Sequence, residues 1–138
     1  MFERDYLMRL IAELGAAMRR SMERNAQLDH APGDSAKLLE AAIGTATDFD
    51  SATLLSLSPD SIAQIIQVSG TDPRVTEYMA RSLMLCARYY EEDGDPDMAD
   101  LRARQARAIA AAYNHDLPED AATDEAMEAF LEDASFEG

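Results

Sequence analysis

Between Glu91 and Asp100 the chain reads EEDGDPDMAD, with six carboxylates in ten positions around Gly94. Oxygen donors at this density are the chemistry of a hard cation. A helix-loop-helix calcium site takes ligands at loop positions 1, 3, 5, 7, 9 and 12, with glycine at 6. Counted from Asp93, positions 1, 3 and 5 are Asp93, Asp95 and Asp97, but position 4 is Pro96, position 6 is Met98 and position 12 is Arg104. A guanidinium where a bidentate carboxylate is needed argues against calcium. The same residues read more simply as a corner. Gly94 permits the positive φ that ends a helix, and Asp95-Pro96 supplies the cap and first turn of the next.

Other reactive side chains are sparse. Cys86, in RSLMLCARYY, is the only cysteine, so no intrachain disulfide forms. Its apolar flanks predict a buried, inert thiol. His30 and His115 do not form an H-x-x-x-H metal-ligand pair. His115 is expected at the C-terminus of its helix, where a cation is favoured. The six glycines are isolated and make no phosphate loop. The expectation is a non-catalytic chain with no metal ligands and no cofactor.

Stepping out to the elements, helix formers dominate and no stretch alternates with period two. Leu7, Leu10, Ile11, Leu14, Met18 and Met22 form an apolar stripe that predicts a first helix over residues 3–25. A second helix is expected after Asp34 or Ser35 as cap, ending near Thr47, and a short one after Asp50 or Ser51. Three further starts repeat one signal: Ser58-Pro59, Asp72-Pro73 and Asp95-Pro96. The first of these helices stops at Gly70, with Ile62, Ile65 and Ile66 as its buried face. The second runs to about Glu92 and the third to about Asn114. A last helix, 124–132, follows Thr123, and the tail DASFEG reads as frayed. The fold class is therefore all-α: an antiparallel array of about five or six helices in a single domain, 1–138. Residues 1–70 hold the N-terminal helices, and residues 71–134 a hairpin with a capping helix.

The hairpin resembles a tetratricopeptide repeat. Leu83, Cys86, Ala87, Tyr90, Gly94, Ala99, Ala103 and Ala106 fall at that family's spacings over residues 80–113. Leu83 stands where the family has Trp, Ala103 where it has a large aromatic, and Ala111 where it has Pro. A tetratricopeptide-like hairpin at residues 73–114 is implied. A lone repeat cannot bury its own faces, so the N-terminal helices or a second subunit must cover it. DYLMRLIAELGAAM and LLSLSPDSIAQII also resemble an uncharacterised family of small bacterial all-helical proteins, which implies no activity.

The net charge is −15, from 27 acidic and 12 basic side chains. That repels nucleic acid and anionic lipid. Residues 1–30 are balanced, whereas residues 89–138 carry a net −12. The charged start and the lack of a cleavage site read as no signal peptide, so a cytoplasmic location is expected.

Function is then expected on helix faces, as an adaptor or scaffold that binds proteins. By the tetratricopeptide resemblance, Arg81, Met84, Arg88 and Glu91 form an exposed stripe that clamps a protein or acidic peptide. Glu77 and Glu92, four residues from Arg81 and Arg88, are candidate ion-pair partners. Arg102 and Arg107 are expected to face solvent. Phe2, Tyr6, Leu7, Met8, Leu10 and Ile11 exceed the needs of one core seam and form a candidate self-association face for a homodimer. The alternative is a small-molecule or peptide sensor whose pocket lies between the N-terminal helices and the hairpin, lined by Tyr78, Tyr89 and Tyr90.

Overall fold

Five of the helices start where a short polar side chain can accept a hydrogen bond from the exposed backbone N–H groups of a first turn. Asp50 accepts from Thr53 N–H at 3.1 Å, Ser58 from Ser61 N–H at 3.3 Å, Asp72 from Arg74 N–H at 2.8 Å, Asp95 from Met98 N–H at 3.2 Å and Thr123 from Ala126 N–H at 3.1 Å. The structure, a computed structural model, describes the backbone of residues 2–136 and the side chains of residues 4–133. The described residues form seven helices: α1 (Phe2–Asn25), α2 (Pro32–Thr47), α3 (Ser51–Leu55), α4 (Pro59–Ser69), α5 (Pro73–Glu92), α6 (Pro96–Ala112) and α7 (Asp124–Phe136). Among the described residues there is no strand, and no helix is long and apolar enough to cross a membrane.

The stops are equally local. Gly94 has φ 79°, and its neighbours close α5 with Asp95 N–H bonded to Tyr90 C=O at 2.9 Å and Gly94 N–H to Glu91 C=O at 3.1 Å. This paired closure satisfies carbonyls that the last turn leaves open. Asn114, φ 57°, closes α6 in the same way, with His115 N–H on Ala110 C=O at 2.8 Å. The helix that was expected to begin after Asp34 or Ser35 instead begins at Pro32. Proline at a first helical position loses an N–H that had no partner anyway, so APGD starts a helix rather than interrupting the chain. Its N-cap, Ala31, makes no side-chain bond, and Ser35 is buried within the first turns. At the other end, α7 continues to Phe136, into the tail that reads as frayed.

α5 is the axis of the molecule. Thirteen of its twenty residues are buried, so it is covered on all sides but one. α6 folds back along it as the second arm of a hairpin, and α2 and α1 also pack against it. α4 packs on the outside of α6. Ile62 and Ile66 enter the core together with Ala63, but Ile65 does not: it is exposed, as is Val68, on the other side of the helix. One continuous core runs through Leu14, Met18, Leu39, Ile43, Leu83 and Ile109.

A polar network is set into that core. Arg102, 5 % exposed, reaches from α6 to α2 and donates from Nε to Glu40 Oε2 at 2.9 Å. The same carboxylate oxygen accepts the Tyr90 hydroxyl at 2.7 Å. Arg102 Nη1 donates to Leu55 C=O at 2.8 Å, and Gln105 Nε2 to Leu55 and Leu57 C=O at 3.0 and 2.9 Å. These carbonyls sit at the end of α3, where no helical N–H remains to bond them. Arg102 was expected at the solvent. It is buried because its partner lies across the fold, and only the charge pair together with the carbonyls makes a buried guanidinium tolerable. Arg107 is exposed as read. Cys86 is fully buried, with its thiol 3.6 Å from Ala36 C=O.

Two outcomes test the network. Arg102→Ala strands the Glu40 carboxylate and the α3 carbonyls, and urea unfolding should show a loss of about 3–5 kcal/mol; a loss below about 1 kcal/mol would mean that water replaces the guanidinium freely. Alkaline pH should also destabilise the fold. Burial raises the Cys86 thiol above its ordinary 9.0, and it raises the Tyr89 phenol from 10.0 to about 12 and the Tyr90 phenol further in the same direction. Groups raised in the folded state keep their protons longer than in the unfolded chain, so their contribution is complete below the unfolded values and lost above them. The urea midpoint should therefore fall between pH 9 and pH 12, and a flat midpoint across that window would contradict it.

Candidate functional site

The least buried side of α5 carries Arg74, Glu77, Arg81, Arg88, Glu91 and Glu92. Arg74, Arg81 and Arg88 recur every seven residues. Seven residues are nearly two helical turns, so the three guanidinium groups follow one line, roughly 10 Å apart. Facing this line are the first turns of α1, the connection 113–123, and α7.

The three arginines have different surroundings. Arg88 is held by the chain itself: Nε lies 3.1 Å from Glu92 Oε2, and Nη1 donates to Asp124 at 2.7 Å and to Ala122 C=O at 3.0 Å. Arg74 lies 3.6 Å from the Asp72 carboxylate. Arg81 stacks its guanidinium 4.7 Å from the Phe130 ring centre, and its Nη2 makes one long bond, 3.4 Å, to Asp116 C=O. Its Nε is buried without a hydrogen-bond partner, and no carboxylate among the described residues pairs with Arg81. Nε and Nη2 form the edge with which arginine takes a carboxylate side-on, so on Arg81 that edge is nearly unused.

Two grooves flank the start of α1. One, about 680 Å³, lies between α1, the end of α2 and the start of α5, with Tyr6, Leu7, Leu10 and Val75 on its walls. The other, about 550 Å³, lies between α1, α5 and α7, with Met8, Ile11, Tyr78, Arg81 and Phe130 on its walls. Arg74 borders both. Both volumes suit a ligand side chain cluster or a small molecule.

The expected stripe of Arg81, Met84, Arg88 and Glu91 is not one open face. Met84 is 6 % exposed and shares a crevice with Ala122, and Asp124 already occupies Arg88. Only Glu91 is fully at the solvent. The cause is the C-terminal segment, which lies over α5: Ala121, Met127 and Leu131 are buried, and Phe130 packs on Tyr78 with ring centres 4.9 Å apart. The Arg88–Glu92 pair forms as the spacing indicates; a Glu77–Arg81 pair does not. Of the apolar residues singled out on α1, Tyr6 is 56 % exposed, and Leu7, Met8, Leu10 and Ile11 are half-buried along the grooves; the Phe2 side chain lies outside the described residues. Of the three tyrosines, only Tyr78 reaches a groove. Tyr89 is wholly buried with its hydroxyl 2.9 Å from Ser21 Oγ, and Tyr90 belongs to the Glu40 network.

The acids of EEDGDPDMAD disperse into local tasks. Asp95 caps α6, Glu92 also accepts from Asn25 Nδ2 at 2.8 Å, Asp100 pairs with Arg104 at 3.1 Å, and Asp93 packs over Gly33. Among the described residues no three His, Cys, Asp or Glu side chains could share a metal ion. His115 sits just past the end of α6, but it closes that helix through its backbone N–H; its ring bonds Thr76 Oγ1 at 2.9 Å. Arg74 was not among the residues singled out, although its seven-residue spacing from Arg81 was a readable signal. No signal in the sequence showed that α7 would return to cover Arg88.

No protein-family model matches the chain, and no curated protein or solved structure is significantly similar to it.

The grip of Arg88 on Asp124 and Ala122 is what fixes the start of α7. Arg88→Ala should speed amide hydrogen exchange across residues 122–131 at least fivefold while changing global stability by no more than about 1 kcal/mol. Unchanged exchange there would show that the apolar contacts alone hold the segment.

Proposed function

We propose that this chain is a non-catalytic protein–protein interaction domain, an adaptor or scaffold, and that its recognition face is the strip where the arginine line of α5 meets the first turns of α1. The observation that carries this reading is Arg81. In a chain with 27 acidic and 12 basic side chains, a guanidinium would be expected to find a carboxylate. Arg81 instead stands beside a groove walled in part by Met8, Ile11, Tyr78 and Phe130, with its carboxylate-binding edge nearly unused. An apolar wall next to unpaired arginine suits an acidic peptide or protein that also offers apolar side chains. One wall of this face, the first turns of α1, belongs to the charge-balanced residues 1–30, while the other is formed by residues 116–133 of the acidic C-terminal part.

The test is capture from native lysate with the immobilised chain beside its Arg74→Glu/Arg81→Glu variant, each first shown to be folded by circular dichroism. A partner held by the parent chain should be reduced at least tenfold on the variant. Equal retention on both would overturn this face as the recognition surface.

Self-association through α1 is a second reading, supported by the exposure of Tyr6 beside Leu7 and Leu10. It calls for a dimer mass in light scattering that Leu10→Lys converts to monomer; a monomer at high concentration would remove it.

A further inference from the structure

α7 is itself an acidic amphipathic helix lying on the arginine line. Its first turn carries Asp124 and Glu125, and Asp124 meets Arg88 at 2.7 Å. Met127 and Leu131 are buried beneath it. Eleven residues without helix, 113–123, join it to α6.

Its fit is incomplete. Ala126 and Ala129 line the 550 Å³ groove that remains between α7, α1 and α5. Alanine leaves that space empty where a longer apolar side chain would fill it, and unfilled space forfeits packing contacts. Arg81 borders the same groove with its Nε unpaired; Asp133 of α7 also lines that groove but makes no ion pair with Arg81, so the pattern that Asp124 begins on Arg88 is not completed. A second crevice, about 490 Å³, opens at the start of α7 between Glu91 and Asp120.

We infer that α7 is an internal placeholder and that the partner is an acidic amphipathic helix which displaces it, carrying large apolar side chains where α7 has Ala126 and Ala129 and a carboxylate within reach of Arg81. This rests on the interaction-domain reading above and deepens it by naming the partner's chemistry. Because α7 is tethered, its effective concentration over the groove is high. A displacing helix must therefore gain from better filling and from the unused edge of Arg81.

The test uses the full chain with a fluorophore on Glu128→Cys, an exposed position of α7; the buried thiol of Cys86 does not compete for the label. The probes are synthetic peptides spanning residues 120–133, one with the native sequence and one with Ala126→Leu and Ala129→Leu. The leucine peptide should bind saturably and at least tenfold tighter than the native one, lower the anisotropy of the α7 label as α7 undocks, and weaken when Arg81→Ala is introduced into the chain. Placing Ala126→Leu and Ala129→Leu in the chain itself should fill the groove from within and reduce leucine-peptide binding at least tenfold. Binding that leaves the label unmoved, or that is indifferent to leucines in the chain, overturns the placeholder role while the interaction-domain reading stands. Equal affinity of both peptides with the label released overturns the bulkier partner and points to exchange of α7 between copies. Absence of saturable binding by either peptide overturns this inference alone, since lysate capture judges the recognition face separately.

Discussion

The pairing of Arg102 with Glu40 connects parts of the molecule that no local signal connects. Glu40 stands on α2, Arg102 on α6, Tyr90 on α5, and the bonded carbonyls of Leu55 and Leu57 at the end of α3. A charge pair this deep is tolerated only when its partners are held in one geometry, since a displaced partner would leave a buried charge unmatched. The apolar core around it constrains volume, whereas the network constrains direction. α2 and α6 are thereby both held against α5.

The arginine line follows from this arrangement. α5 has one face free of α2 and α6, and that face carries Arg74, Arg81 and Arg88. The acidic bulk of the chain lies in α6, α7 and their connections, so the arginines sit at a boundary between a balanced surface and a strongly negative one. At one end of the line the chain supplies its own carboxylate, from Asp124. In the middle it supplies an aromatic ring and a carbonyl instead. Neighbouring residues of one helix face are thus in different states, Arg88 engaged and Arg81 only partly so, because α7 covers them unevenly.

Much of the helical scaffold could be read from short stretches. The Ser-Pro and Asp-Pro starts, the Gly94 stop and the Arg88–Glu92 pair all involve residues within a few positions of each other. Their geometry is set by the helix itself and needs no tertiary help. Readings failed where a residue's partner is distant. Arg102 looked like a solvent-facing charge because Glu40 is 62 residues away. Tyr89 and Tyr90 looked like pocket walls, but each finds a hydroxyl or carboxylate partner inside the core. Met84 lay at the right spacing for an open stripe, but it is buried in a crevice shared with α6 and with Ala122, 38 residues downstream.

The sequence by itself determined where most of the helices begin, that the chain is all-α, and that residues 73–114 turn back as a hairpin, because capping, proline and glycine act through bonds of fixed short range. It also determined the net charge of −15. Tertiary structure decided which charges are buried, which arginines are engaged and where the grooves open. Those depend on which helix faces meet, and a side chain's desolvation and partners are properties of that meeting rather than of its neighbours along the chain.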